Sequence, residues 1–191
     1  MYPGARAVMA AVFALTGHGG EGPAPKLEWS LTVCLPSAPA EARRAQPILL
    51  RMFADIGVGI SWNEPRDSCL PDSVVVTIAT DTPRTLSPGA LADSRLFEGS
   101  EIRVFYNRVL EMVPPDWVPC LLAHVLAHEL AHVAQAIDRH SSHGLMKATW
   151  ELADLRQMVR GLLRFAPHDV DLIRRGLEAK ARQKAEGRRQ K

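Results

Sequence analysis

Cysteine is scarce. The three cysteines in 191 residues, Cys34, Cys69 and Cys120, are too few and too scattered for a disulfide scaffold or a cysteine-based zinc site. One disulfide plus a free thiol suits an oxidising compartment and three buried thiols a reducing one, so cysteine alone does not set the location. Aromatic residues make up only 6% of the chain. A surplus of one charge is also lacking: Lys+Arg 23 against Asp+Glu 21 leaves +2, no overall attraction to nucleic acid. No uninterrupted apolar run reaches the ~18–20 residues of a membrane span, so no transmembrane span is expected. No internal repeat is visible. What is present is ordinary for a globular protein: 47% hydrophobic and 23% charged residues exclude wholesale disorder, and the length fits one domain with a real core.

The two ends differ from the middle. Arg6 precedes an apolar stretch, Ala7 to Leu15, of the length of a signal-peptide core. Residues 1–25 are therefore expected to be a signal peptide or a flexible N-terminal arm, and the protein to be exported or secreted. From Arg174 to Lys191 eight Lys/Arg stand against two Glu, so the basic character belongs to a tail over 176–191. That tail has no aromatics interleaved with its cations, so no nucleic-acid partner is expected.

The body, 26–175, alternates between periods. Leu27, Trp29, Leu31 and Val33 alternate with polar residues as a half-buried strand. Ile48, Leu49, Met52, Phe53 and Ile56 predict a helix over 39–56, kinked or restarted at Pro47 and ended by Gly57. Val58, Ile60 and Trp62 predict a second strand, and the β-branched run Val74 to Ala79 a buried third. Residues 80–100 read as an irregular loop with a short edge segment near Ala90–Asp93, before a strand through Ile102, Val104 and Tyr106. A long apolar helix is expected over Leu121–Ile137, N-capped by Asp116, with further helices from about Lys147 to Leu163 and from Pro167. The order implies an α+β fold: a small mixed sheet backed by helices.

Chemistry concentrates in the long helix, as His128-Glu129-Leu130-Ala131-His132. Residues four apart lie about 40° apart around a helix, one turn on, so both imidazoles can reach one metal ion. Glu129 lies on the same sector and can reach a water at the metal without binding the metal itself. Two neutral imidazoles, a carboxylate base and open coordination are what a hydrolytic zinc site requires. On an apolar helix such residues are costly to bury without a role. His124 precedes His128 by one turn but is followed by Val125, so that pairing lacks an adjacent base. It reads as a core or supporting histidine.

A catalytic zinc usually has three protein ligands plus water. After His132 the donors are Asp138, His140, His143 and Glu151, and spacing leaves all four open. For His140 to ligate, the helix must end first, because eight residues of continued helix would carry it roughly 12 Å along the axis. The end is expected near Ile137–Arg139.

The stretch from His128 through His140-Ser141-Ser142-His143-Gly144-Leu145-Met146 to Trp150 resembles a group of small, largely uncharacterised bacterial zinc metallopeptidases. Their pattern is HExxH, seven residues, His-Ser, then Gly, Met and Trp, and they in turn are similar to metzincin-clan zincins. Weaker similarity extends over roughly 27–175. The resemblance implies a zincin-like catalytic domain over 26–175, Zn2+ as cofactor, metal ligands His128, His132 and His140, and Glu129 as the catalytic base. It further implies hydrolysis of peptide bonds in a peptide or protein substrate. The better-known metzincin pattern places Gly and a ligand where this chain has Gln135 and Asp138, which keeps Asp138 as runner-up; Glu151 would complete a thermolysin-like site. Met146 invites comparison with the metzincin Met-turn. The alternative to a peptidase is a non-hydrolytic zinc-binding protein, and the presence of Glu129 counts against it.

Overall fold

A computed structural model describes residues 29–65, 68–95 and 100–189. The expected signal peptide or arm, 1–25, lies outside these residues, as do Leu27 and the last two residues of the tail.

The fold is a mixed α+β one. Strands β1 (Trp29–Cys34), β2 (Val58–Asn63), β3 (Val74–Ala79), β4 (Ala92–Arg95) and β5 (Glu101–Phe105) form one sheet in the order β2-β1-β3-β5-β4. All neighbours pair in parallel except β4, which runs antiparallel to β5 at one edge. Parallel strands need crossovers. Helix α1 (Ala40–Ala54) supplies the first, burying Ala42, Ala45, Leu49, Met52 and Phe53 at helical spacing. It runs through Pro47 without a break, and Gly57, at φ 76°, turns the chain into β2. A Cys34–Cys69 disulfide ties the end of β1 to the loop before β3, and Cys120 is free.

Tyr106 does not continue β5. It opens a short helix, α2 (Tyr106–Met112), which sequence periodicity missed. Arg108 on α2 donates to the carbonyls of Ser87 (2.6 Å) and Ala90 (2.7 Å), and so orders the loop leading into β4.

Helix α3 (Val118–Gln135) is the central element and is apolar nearly all round, as a core helix must be. Together with the turn before it, Pro115–Gln135, it is long and apolar enough to cross a membrane, but 83% of its apolar window is buried inside the protein. Asp116 is not its N-cap. It lies in a single 3-10 turn, Pro115–Trp117, and α3 starts at Val118 without a side-chain cap. The helix also stops short of Ile137: Ala136 takes the left-handed conformation (φ 56°) and its N–H closes on the His132 carbonyl.

Helix α4 is shorter than expected, Leu152–Arg160, because Glu151 is extended and makes a reciprocal capping box with Asp154. Helix α5 (Pro167–Arg189) runs straight through position 176, where a tail was expected to begin. Gly176 is the reason it can lie on α3: a Cβ there would stand 2.0 Å from the Ala134 carbonyl oxygen. Its cations serve docking. Lys180 donates to the Val133 carbonyl (2.6 Å), orphaned at the end of α3, Arg174 to the Ile56 carbonyl (3.1 Å), and Lys184 pairs with Asp72 (2.6 Å).

Candidate active site

Helix α3 presents His128 and His132 one turn apart, and both rings are buried. Each Nδ1 faces a backbone carbonyl, Leu145 for His128 (3.0 Å) and Ile137 for His132 (3.1 Å). A carbonyl only accepts, so both rings carry their proton on Nδ1. The two Nε2 atoms, 3.0 Å apart, then face each other as bare lone pairs. Two buried acceptors in that position call for a cation. Tetrahedral bonds of about 2.0–2.1 Å would set the two nitrogens about 3.3 Å apart, so a zinc ion fits with a small movement. Burial lowers the His132 pKa and holds that of His128 at about 4, so both rings are neutral and ready to ligate.

His140 completes the cluster. One ring nitrogen each from His128, His132 and His140 lie within 4.8 Å of one another. The left-handed turn at Ala136 makes this reachable: it takes the chain off the helix axis and aims the Ile137 carbonyl back at His132. Four further contacts fold the loop after it. Ser141 N–H donates to the Met146 carbonyl (2.7 Å), Leu145 N–H to the Arg164 carbonyl (2.8 Å), and Trp150 Nε1 to the Leu145 carbonyl (3.2 Å). Lys147 pairs with Asp154 (2.6 Å). Gly144, at φ 76°, has the Arg164 carbonyl oxygen 2.7 Å from where a Cβ would be, so no side chain fits. Met146 is fully buried in the core cluster, and the Trp150 ring stands edge-on to His128 at 5.5 Å.

The other donors are placed elsewhere. Asp138 is exposed at the rim of the same cleft, off the helix, and outside the three-nitrogen cluster. Glu151 caps α4. His143 is exposed, with Nδ1 3.2 Å from the Ser142 hydroxyl. His124 is satisfied in the core, Nδ1 to the Cys120 carbonyl (2.8 Å) and Nε2 from the Leu163 N–H (3.2 Å). Tyr106 is turned to Glu41 (2.8 Å), which together with burial pushes its hydroxyl to about 12; it does not line the cleft.

A cleft of about 1040 Å3 opens over the cluster. Its floor is α3, one wall is the edge strand β4, and the opposite wall is the 147–150 segment. Glu129 is half-buried on the floor. Burial pushes its carboxyl up to about 7, with Asp93 and Asp138 adding to the rise and a hydrogen bond from Ser94 opposing it. Ser94 and the two carbonyls that orient the imidazoles were not legible in the sequence. Ser94 sits in an irregular stretch, and a carbonyl's role has no residue signature. The floor thus combines a cation-demanding nitrogen cluster with a carboxyl beside it, the pairing that general acid–base chemistry at a metal uses.

This sheet, with one antiparallel edge strand above a helix bearing His-Glu-x-x-His, defines a zincin-like fold. Among solved structures the chain is similar to archaemetzincin from Methanopyrus kandleri, with a TM-score of 0.55 and 15% sequence identity, covering 78% of this chain and 96% of that one. At that identity the likeness is one of fold. No protein-family model and no curated protein matches the chain.

Proposed function

We propose that this chain is a zinc-dependent endopeptidase of the metzincin-like kind, related to the small bacterial metallopeptidases its His-Ser-x-x-Gly-x-Met stretch resembles. The observation that carries the reading is the pair of Nε2 lone pairs 3.0 Å apart, joined by His140 and set beside Glu129 on the floor of an open cleft. His128, His132 and His140 would hold the ion. When bound, zinc supplies Lewis acidity toward the scissile carbonyl and the attacking water. The protein does the rest. Glu129 takes the proton from the water and returns it to the leaving amine. The outer edge of β4 offers backbone groups to an extended peptide, and Ser94 holds Glu129 at that edge. The substrate is thus a peptide or protein segment in extended form.

Protein purified without chelator is expected to carry about one zinc per chain and to cleave an unfolded protein, with chelator abolishing cleavage and zinc restoring it. Absence of metal would overturn the zinc reading; zinc without hydrolysis would favour a structural role.

The Cys34–Cys69 disulfide supports function in an oxidising compartment, and hence export. Peptide mapping under non-reducing conditions is expected to recover this pair from the natively expressed protein. Free thiols at both positions would remove the support.

A further inference from the structure

His140 is the ligand candidate the helix does not place. It lies in the loop past Ala136 with an exposed side chain, so its aim depends on what fixes the backbone either side of it. One atom does this on both sides. Asp169, on the first turn of α5, is fully buried. Its Oδ1 accepts from the Ser141 hydroxyl at 2.5 Å and from Arg139 Nη1 at 3.0 Å. Arg139 and Ser141 are the two neighbours of His140. Both tethers converge on the one oxygen, Asp169 Oδ1. The Ser141 N–H is also engaged, by the Met146 carbonyl, so that residue is held from both its backbone and its side chain.

Resting on the reading that His140 ligates zinc, we infer that Asp169 is a positioning residue that clamps Arg139 and Ser141 to aim His140 at the metal, making α5 part of the metal site. The buried end of the clamp is the Asp169 carboxylate; Arg139 and Ser141 reach it from half-buried positions. The Ser141 hydroxyl is the shorter of the two tethers.

The test is a double-mutant cycle read as zinc affinity, with the unfolding temperature of each metal-free protein measured alongside. Asp169→Ala is expected to weaken zinc binding about 10–100-fold, the usual cost of losing a group that orients a ligand. Ser141→Ala, which removes one tether and leaves the carboxylate paired to Arg139, should cost up to about tenfold. In a His140→Ala background either change should alter zinc affinity by less than about twofold, since the residue being aimed is gone. A lowered unfolding temperature with unchanged zinc affinity would make Asp169 merely structural and overturn the inference. So would an equal loss of affinity with and without His140. If Asp169→Ala does not fold, the Ser141→Ala cycle decides alone. Failure of the underlying reading looks different: the parent protein would bind no zinc, or His140→Ala would bind it as well as the parent.

Discussion

Glu129→Gln is expected to keep zinc and to lose peptide hydrolysis by about 10²–10⁴-fold, the range supplied by a positioned general base. The amide has the size of the carboxyl and can still meet Ser94, so the floor of the cleft keeps its shape. It cannot take a proton from water. The three imidazole nitrogens cluster without Glu129, so zinc affinity should move by less than a few-fold. Metal analysis and a rate on an unfolded substrate, measured on one preparation, check both halves. Loss of zinc along with activity would make Glu129 a ligand.

The same substitution should stabilise the metal-free protein, and the sign follows from burial. The Glu129 pKa rises from 4.5 in the unfolded chain to about 7 in the fold. The folded state therefore holds the proton more tightly, and the stability this gives is lost as pH rises from 4.5 through about 7. Above that, the ionised carboxylate opposes folding. His128 works with the opposite sign: its pKa falls from 6.5 to about 4, so its contribution is lost as pH drops through that window. Metal-free Glu129→Gln is expected to melt higher than the parent at pH 8 and close to it at pH 4. A site that costs stability where it is ionised is kept for its chemistry.

The legible parts of this molecule are those where one residue's chemistry fixes one outcome. Period-two alternation in Val58–Trp62 and the β-branched run at Val74–Ala79 gave strands, because a pleated, half-buried or buried surface accepts little else. The four-residue spacing of His128 and His132 gave a shared metal face, because helix geometry permits nothing else. What was misread depends on context. Pro47 is expected to kink or restart α1, yet buried residues on both sides hold the helix through it. Asp116 has the chemistry of a cap, but Pro114 and Pro115 set a 3-10 turn around it. The end of α3 comes earlier than expected because Ala136 adopts a left-handed conformation that alanine rarely takes, and Lys180 then takes up the Val133 carbonyl that this end leaves free. Asp169 carried no signal, since its partners lie 28 and 30 residues away.

That early helix end decides the remaining prediction, the identity of the third ligand. Had α3 run on to Asp138, its carboxylate would have stood about 120° around the axis and roughly 9 Å along it from His132, away from the face that carries the imidazoles. With the axis abandoned at Ala136, Asp138 is left exposed at the rim and His140 is brought within 4.8 Å of both helix-borne nitrogens, its ring centroid 5.2 Å from that of His128 and 5.0 Å from that of His132. Zinc-finger sites, with four protein ligands, bind zinc with about 10–16 kcal/mol, roughly 2.5–4 kcal/mol per ligand, so His140→Ala should weaken zinc by about 10²-fold or more. Asp138 acts on the site only through its charge. An exposed carboxylate is screened by water and salt, so Asp138→Ala should cost less than about tenfold, and less still at high ionic strength. Competition titration with a zinc indicator, at low and high salt, separates the two. His140→Ala should fall at both salts and Asp138→Ala only at low salt. A larger loss for Asp138→Ala that salt does not relieve would place a carboxylate in the first coordination shell and remove His140 from it.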